Sequence, residues 1–182
     1  MNYLNVSKES AAFWRVSIHN PPVNLVDSRF IIDMHELIDA AEADPDLLVI
    51  VFESANPEYF LAHWDLTDDM SLMADQTERG TGVRFPLHFM NMLMRLSKLP
   101  ALTITSLRGR ARGAGSEFIL ATDITFASRE RTLLGQFEMS AMAPPEVGRP
   151  HAWLASSDAT GRSRSSSEPK TSQARRQSST AT

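Results

Sequence analysis

Leu47 to Phe52 is a continuous apolar run of strand length, and it constrains the fold of this chain more than any other feature. A run this short, with no polar alternation, is what a strand covered on both faces requires. Its upstream neighbourhood says how it is covered. Phe30, Ile31, Met34, Leu37, Ile38 and Ala41 fall on one stripe of a helix, with Asp27 or Ser28 as its cap and Asp44-Pro45 closing it. Before that helix, Ala12 to Ile18 reads as a strand, with Trp14, Val16 and Ile18 on one face and Arg15 and Ser17 on the other. Asn20-Pro21-Pro22 ends it, because proline removes a ladder donor and restricts the residue before it. Strand, helix, strand at this spacing predicts a βαβ unit with parallel strands.

The alternation continues downstream. Thr67 to Gly82 is polar and aperiodic and reads as a long exposed loop. A helix is expected from about Arg84 to Lys98, with Phe85, Phe89, Leu93 and Leu96 in register, Pro86 in its first turn and Pro100 stopping it. The Met-rich run Phe89 to Met94 within it reads as core packing. Ala101 to Ser106 is a third strand. A turn punctuated by Gly109, Gly113 and Gly115 leads into a short helix near Ser116 to Ala121, and Ile124 to Ala127 is a fourth strand. The class is α/β with parallel sheets.

After Leu154 the character changes. From Ala155 to Thr182 there is no Val, Ile, Leu, Met, Phe, Tyr or Trp. Such a segment buries too little apolar area to offset its ordering entropy, so residues 155–182 are expected to be a disordered Ser/Thr/Arg-rich tail behind a domain over 1–154. The tail has five basic residues against two acidic ones, although the whole chain carries a net charge of -4. It has no aromatic side chain on which a base could stack, and no nucleic-acid partner is expected. The absence of cysteine excludes disulfides, thiolate metal sites and a cysteine nucleophile. The five histidines are scattered, and no metal is expected. No signal peptide or membrane span is read, and the cytoplasm is the expected location.

Two stretches can carry chemistry, each following a parallel-type strand: Phe60 to Leu66 and Gly109 to Glu117. Ligands of open α/β sheets bind beyond the carboxyl ends of strands. Gly113-Ala114-Gly115 lets a ligand approach the backbone at a helix start, where N–H groups could stabilise an oxyanion. Glu117 stands just inside that helix, and Glu138 follows the fourth strand in Gly135-Gln136-Phe137-Glu138. Two carboxylates at one crevice can divide acid and base work. Taken alone, the glycine step reads as ordinary strand–helix packing and Glu117 as a first-turn acid facing the helix dipole.

From Trp14 to about Met139 the chain resembles the crotonase (enoyl-CoA hydratase/isomerase) superfamily. The resemblance rests on Asn20-Pro21-Pro22-Val23-Asn24-Leu25, on Phe60 to Leu66, and above all on Gly109 to Asp123. It implies a repeated β-β-α spiral core with parallel sheets, in this chain without the family's C-terminal helical part. It further implies an acyl-CoA thioester as substrate, no cofactor, and an enolate held by two backbone N–H groups that map onto Ala62 and Ala114. The two glutamates that manage water in hydratases map onto Glu117 and Glu138. Contacts to the CoA nucleotide map onto Val23, Leu25 and Asp65. The activity implied is enoyl-CoA hydration, with isomerisation, another crotonase reaction or an inactive remnant as alternatives, in a homo-oligomer (trimer or hexamer).

The sequence departs from the family in three places. Ala62-His63-Trp64-Asp65 stands where relatives usually have Ala-Gly-Ala-Asp, and Phe137 stands where proline is common. Where relatives continue through a glycine-rich loop and covering helices, this chain has Ala143 to Arg149 and then the polar tail. The abrupt change predicts a shift of reading frame near Pro145.

Overall fold

A computed structural model of the chain describes residues 1–69, 72 and 87–136. Strand β1 (Leu4–Ser10) pairs antiparallel with β2 (Phe13–Ile18), on which Trp14, Val16 and Ile18 are buried as their alternation requires. Helix α1 (Ser28–Glu42) is capped by Asp27, whose side chain accepts the Phe30 N–H at 2.8 Å, and it buries all six residues of the stripe. β3 (Val49–Ser54) then runs parallel to β2, completing the expected βαβ unit. β5 (Leu102–Leu107) and β7 (Ile124–Ala127) extend the same sheet in the order β1-β2-β3-β5-β7.

The second sheet is built from three very short strands, β4 (Tyr59–Leu61), β6 (Arg110–Arg112) and β8 (Leu133–Gly135), all parallel. Each follows a strand of the large sheet. Helix α2 (Leu87–Leu96) follows β4, and helix α3 (Ala114–Leu120) follows β6. This is the repeated β-β-α order of a spiral. Phe118 of α3 sits at its centre, with the rings of Phe30, Phe52 and Phe60 at 6.2, 5.2 and 6.2 Å between centroids. One aromatic side chain thus joins α1, both sheets and α3, which fixes α3 against the body.

The structure corrects several sequence expectations. The Leu47–Phe52 strand is covered fully on one face only: Ile50 and Phe52 are buried, Val49 and Val51 half-buried, and Leu48 is 63% exposed. On the other face Val51 and Ile104 stand in one row with Arg15, whose guanidinium pairs with Glu53 at 2.9 Å. Arg110 to Arg112 is a strand and not a turn, and α3 begins two residues before the expected Ser116. Of the Met-rich run, Met92 is buried, Met90 half-buried and Met94 exposed, so core packing holds for one of the three. Residues 84–86 of the expected second helix, most of the loop over 67–82, and the whole tail over 155–182 lie outside the described residues.

Candidate active site

The site is assembled where three backbone segments meet. Gly115, in the first turn of α3, presses on the end of β4 so closely that an added Cβ would lie 2.0 Å from the Leu61 carbonyl oxygen. Its N–H donates to the Ala62 carbonyl at 3.1 Å. Gly113, with φ +52°, precedes the helix, and its N–H donates to the Gly135 carbonyl at 2.9 Å. The Ser116 hydroxyl lies 2.9 Å from both the Ala111 and the Gly135 carbonyl oxygens. The glycines are therefore needed for close approach and for a positive φ. The serine clamps the ends of β6 and β8 to the helix start.

Within that first turn the Ser116 and Glu117 N–H groups both donate to the Gly113 carbonyl, and the Gly115 N–H is taken by Ala62. The Ala114 N–H makes no hydrogen bond among the described residues, as an anion donor must before its ligand arrives. Glu117 is only 3% exposed, and its Oε1 accepts from the Gln136 side-chain N–H at 3.0 Å. Glu138 lies outside the described residues.

The expected role of Ala62 meets an obstacle. Its N–H donates to the Asn24 carbonyl at 2.7 Å, so that amide is already engaged. The cause is local: residues 62–65 run alongside 24–26, with the Val26 N–H donating to the His63 carbonyl at 3.1 Å and the Asp65 N–H to the Val26 carbonyl at 2.7 Å. The segments expected to meet the CoA nucleotide, Val23 to Leu25 and Ala62 to Asp65, are thus brought side by side. Val23 and Leu25 are half-buried. Asp65 is held below the usual carboxylate range by the hydroxyl and N–H of Thr67, which both donate to its Oδ1.

Sequence reasoning missed two residues of this region. Asn24 is fully buried with φ +54°, and its side chain donates to the Ser54 hydroxyl at 2.8 Å and the Phe60 carbonyl at 3.0 Å while accepting the Asn20 N–H at 2.7 Å. It holds the first loop against β3 and β4. Gln136 is the other, and only its place beside Glu138 in the sequence hinted at it. Arg110 pairs with Glu58 at 3.4 Å and lies over the Tyr59 ring, which accounts for it without a phosphate.

Comparison with known proteins agrees with this fold. The family model for enoyl-CoA hydratase/isomerase matches residues 8–150. The probable enoyl-CoA hydratase of Bacillus subtilis (strain 168) is 26% identical over 123 residues, which is 65% of this chain and 44% of that protein. Among solved structures, a candidate enoyl-CoA hydratase from Streptomyces avermitilis superposes with a TM-score of 0.67 at 33% identity, covering 75% of this chain and 50% of its own. DspI of Pseudomonas aeruginosa gives a TM-score of 0.68 at 26% identity, covering 84% of this chain and 59% of its own. The chain spans about half the length of these relatives. Spiral fold, signature helix and family match together make this chain a member of the enoyl-CoA hydratase/isomerase family.

Proposed function

We propose that the chain carries the thioester-enolate machinery of an enoyl-CoA hydratase, adding water across the double bond of a 2-enoyl-CoA. The observation that carries this reading is the pairing, in one helical turn, of two groups: the Ala114 N–H, without an acceptor among the described residues, and the buried carboxylate of Glu117. As water attacks C3 of the enoyl group, charge moves onto the thioester oxygen. A donor fixed in advance at that oxygen, as the Ala114 N–H would be, stabilises the enolate more than the ground state. Glu117 takes a proton from the water. Glu138, the proposed second carboxyl group, delivers a proton to C2, and the proton taken up by Glu117 restores the balance when the pair resets. Ala62 remains the proposed second oxyanion donor, its N–H exchanging the Asn24 carbonyl for the thioester oxygen when substrate binds. Val23, Leu25 and Asp65 remain the proposed contacts to CoA.

Incubating the protein with a short-chain 2-enoyl-CoA and separately with a 3-enoyl-CoA tests this. Water addition to the first supports the hydratase reading. Migration of the double bond in the second without hydration of the first replaces it by isomerisation. Acyl-CoA that raises the melting temperature but is never turned over marks a binding remnant.

A further inference from the structure

We propose that Gln136 is the positioning residue of Glu117: its amide N–H fixes the carboxylate, and its amide oxygen receives the O–H of the water or hydroxyl handled at the site. The second half rests on the hydratase reading above; the first does not.

The backbone delivers Gln136 to Glu117. Gln136 follows Gly135 directly, and the Gly135 carbonyl is the atom that takes both the Gly113 N–H and the Ser116 hydroxyl. The residue after β8 is thereby held against the first turn of α3, and its Nε2 reaches Glu117 Oε1 at 3.0 Å across 19 positions of sequence. The orientation of the amide follows from chemistry. A carboxylate has no proton to give, so only the NH₂ end of the amide can face it. The oxygen end must point elsewhere, and Gln136 Oε1 is buried without a hydrogen-bond donor among the described residues. A buried carbonyl without a donor is costly, and an apolar side chain of the same length would avoid that cost. Among the described residues nothing supplies that donor, and a ligand held at the site can bring it. Water, and the hydroxyl that water becomes, each carry one.

The two ends act together. An N–H donor on one carboxylate oxygen favours the ionised form, the state Glu117 needs in order to accept a proton from water. The amide oxygen, one side chain away, orients that water. Neither task needs Gln136 to exchange a proton.

The test follows the Glu117 carboxyl directly. The full chain is labelled with [δ-¹³C]glutamate, the Glu117 resonance is assigned by its loss in Glu117→Gln, and its pH titration is compared with that of Gln136→Met. The expected result is a midpoint about one pH unit higher in the methionine variant. An unchanged midpoint overturns the proposal. Gln136→Asn keeps the polarity but is too short to reach Glu117; it is expected to shift the midpoint equally, and it decides the matter if the methionine variant does not fold. Because the titration needs no substrate, its outcome is independent of the hydratase reading. On an enoyl-CoA that is turned over, Gln136→Met is expected to lower kcat about tenfold with KM little changed. An unaltered kcat removes the role assigned to the amide oxygen.

Discussion

Gly115 and Gly135 lie on either side of the same site, yet they differ in what they tolerate. At Gly115 an added methyl would meet the Leu61 carbonyl at 2.0 Å, a backbone atom that cannot swing aside; at Gly135 the nearest atom is the Arg112 Cγ at 3.8 Å. Gly115→Ala is therefore expected to destabilise the fold by about 2–3 kcal/mol or more, and Gly135→Ala by under about 1 kcal/mol, in denaturant melts. Equal losses would mean that the approach of α3 to β4 is not what requires glycine. The Gly109–Asp123 stretch was legible in the sequence because this packing leaves almost no choice of residue. Ala62 was the opposite case. Its place in the motif suggested an oxyanion donor, but whether an amide is already engaged depends on which strand lies beside it, and no residue type records that. Asn24 hid for a related reason: its work is done largely by hydrogen bonds to Ser54 and Phe60, far away in the sequence.

Among elements, α1 was read in full, since a stripe of six buried residues over fifteen positions carries a strong period. Strands β4, β6 and β8, each of three residues, carry almost none, and only the family resemblance implied the second sheet. The α1–α2 contact contains a titratable cluster. Arg95 of α2 donates to Asp39 at 2.6 Å and Glu42 at 2.8 Å, and its Nη1 lies 3.3 Å from His35 Nδ1. Burial, then the Arg95 guanidinium, pushes His35 below the usual imidazole range despite the opposing Asp39; burial pushes His88 down in the same way, and its Nε2 has no partner among the described residues. Both rings are favoured as neutral in the fold but gain protons in the unfolded chain below about pH 6.5. The unfolded state then binds more protons, so the stability present above that pH is lost as pH falls toward the depressed folded values. The melting temperature should decline between about pH 6.5 and 5, and less steeply in His88→Leu. Parallel curves for the two proteins would remove His88 from the cause.

For the molecule as a whole, the feature with the clearest consequence is the outer face of the large sheet, where apolar side chains of the described residues are exposed. Val51, Ile104 and Ile124 stand in one row across β3, β5 and β7, with Leu102 and Phe126 beside them, and Phe126 is 65% exposed. Contiguous apolar surface of this kind favours association. The protein is expected to form larger species as its concentration rises, and Phe126→Lys to shift light-scattering mass downward at equal concentration. An unchanged mass would place the contact elsewhere. The α/β class was readable from alternation, but not the exposure on this face: a run such as Leu47 to Phe52 does not say which of its side chains are covered. Membership of the enoyl-CoA hydratase/isomerase family does not by itself give this chain turnover, since it spans about half of its relatives' length. The deciding measurement is hydration of a short-chain 2-enoyl-CoA by the purified, folded protein beside its Glu117→Gln variant. The expected result is turnover in the first and a loss of about 10²- to 10⁴-fold in kcat in the second. Hydration that survives intact in Glu117→Gln, or a folded wild-type chain that adds no water, would contradict the proposed roles of Glu117 and the Ala114 amide.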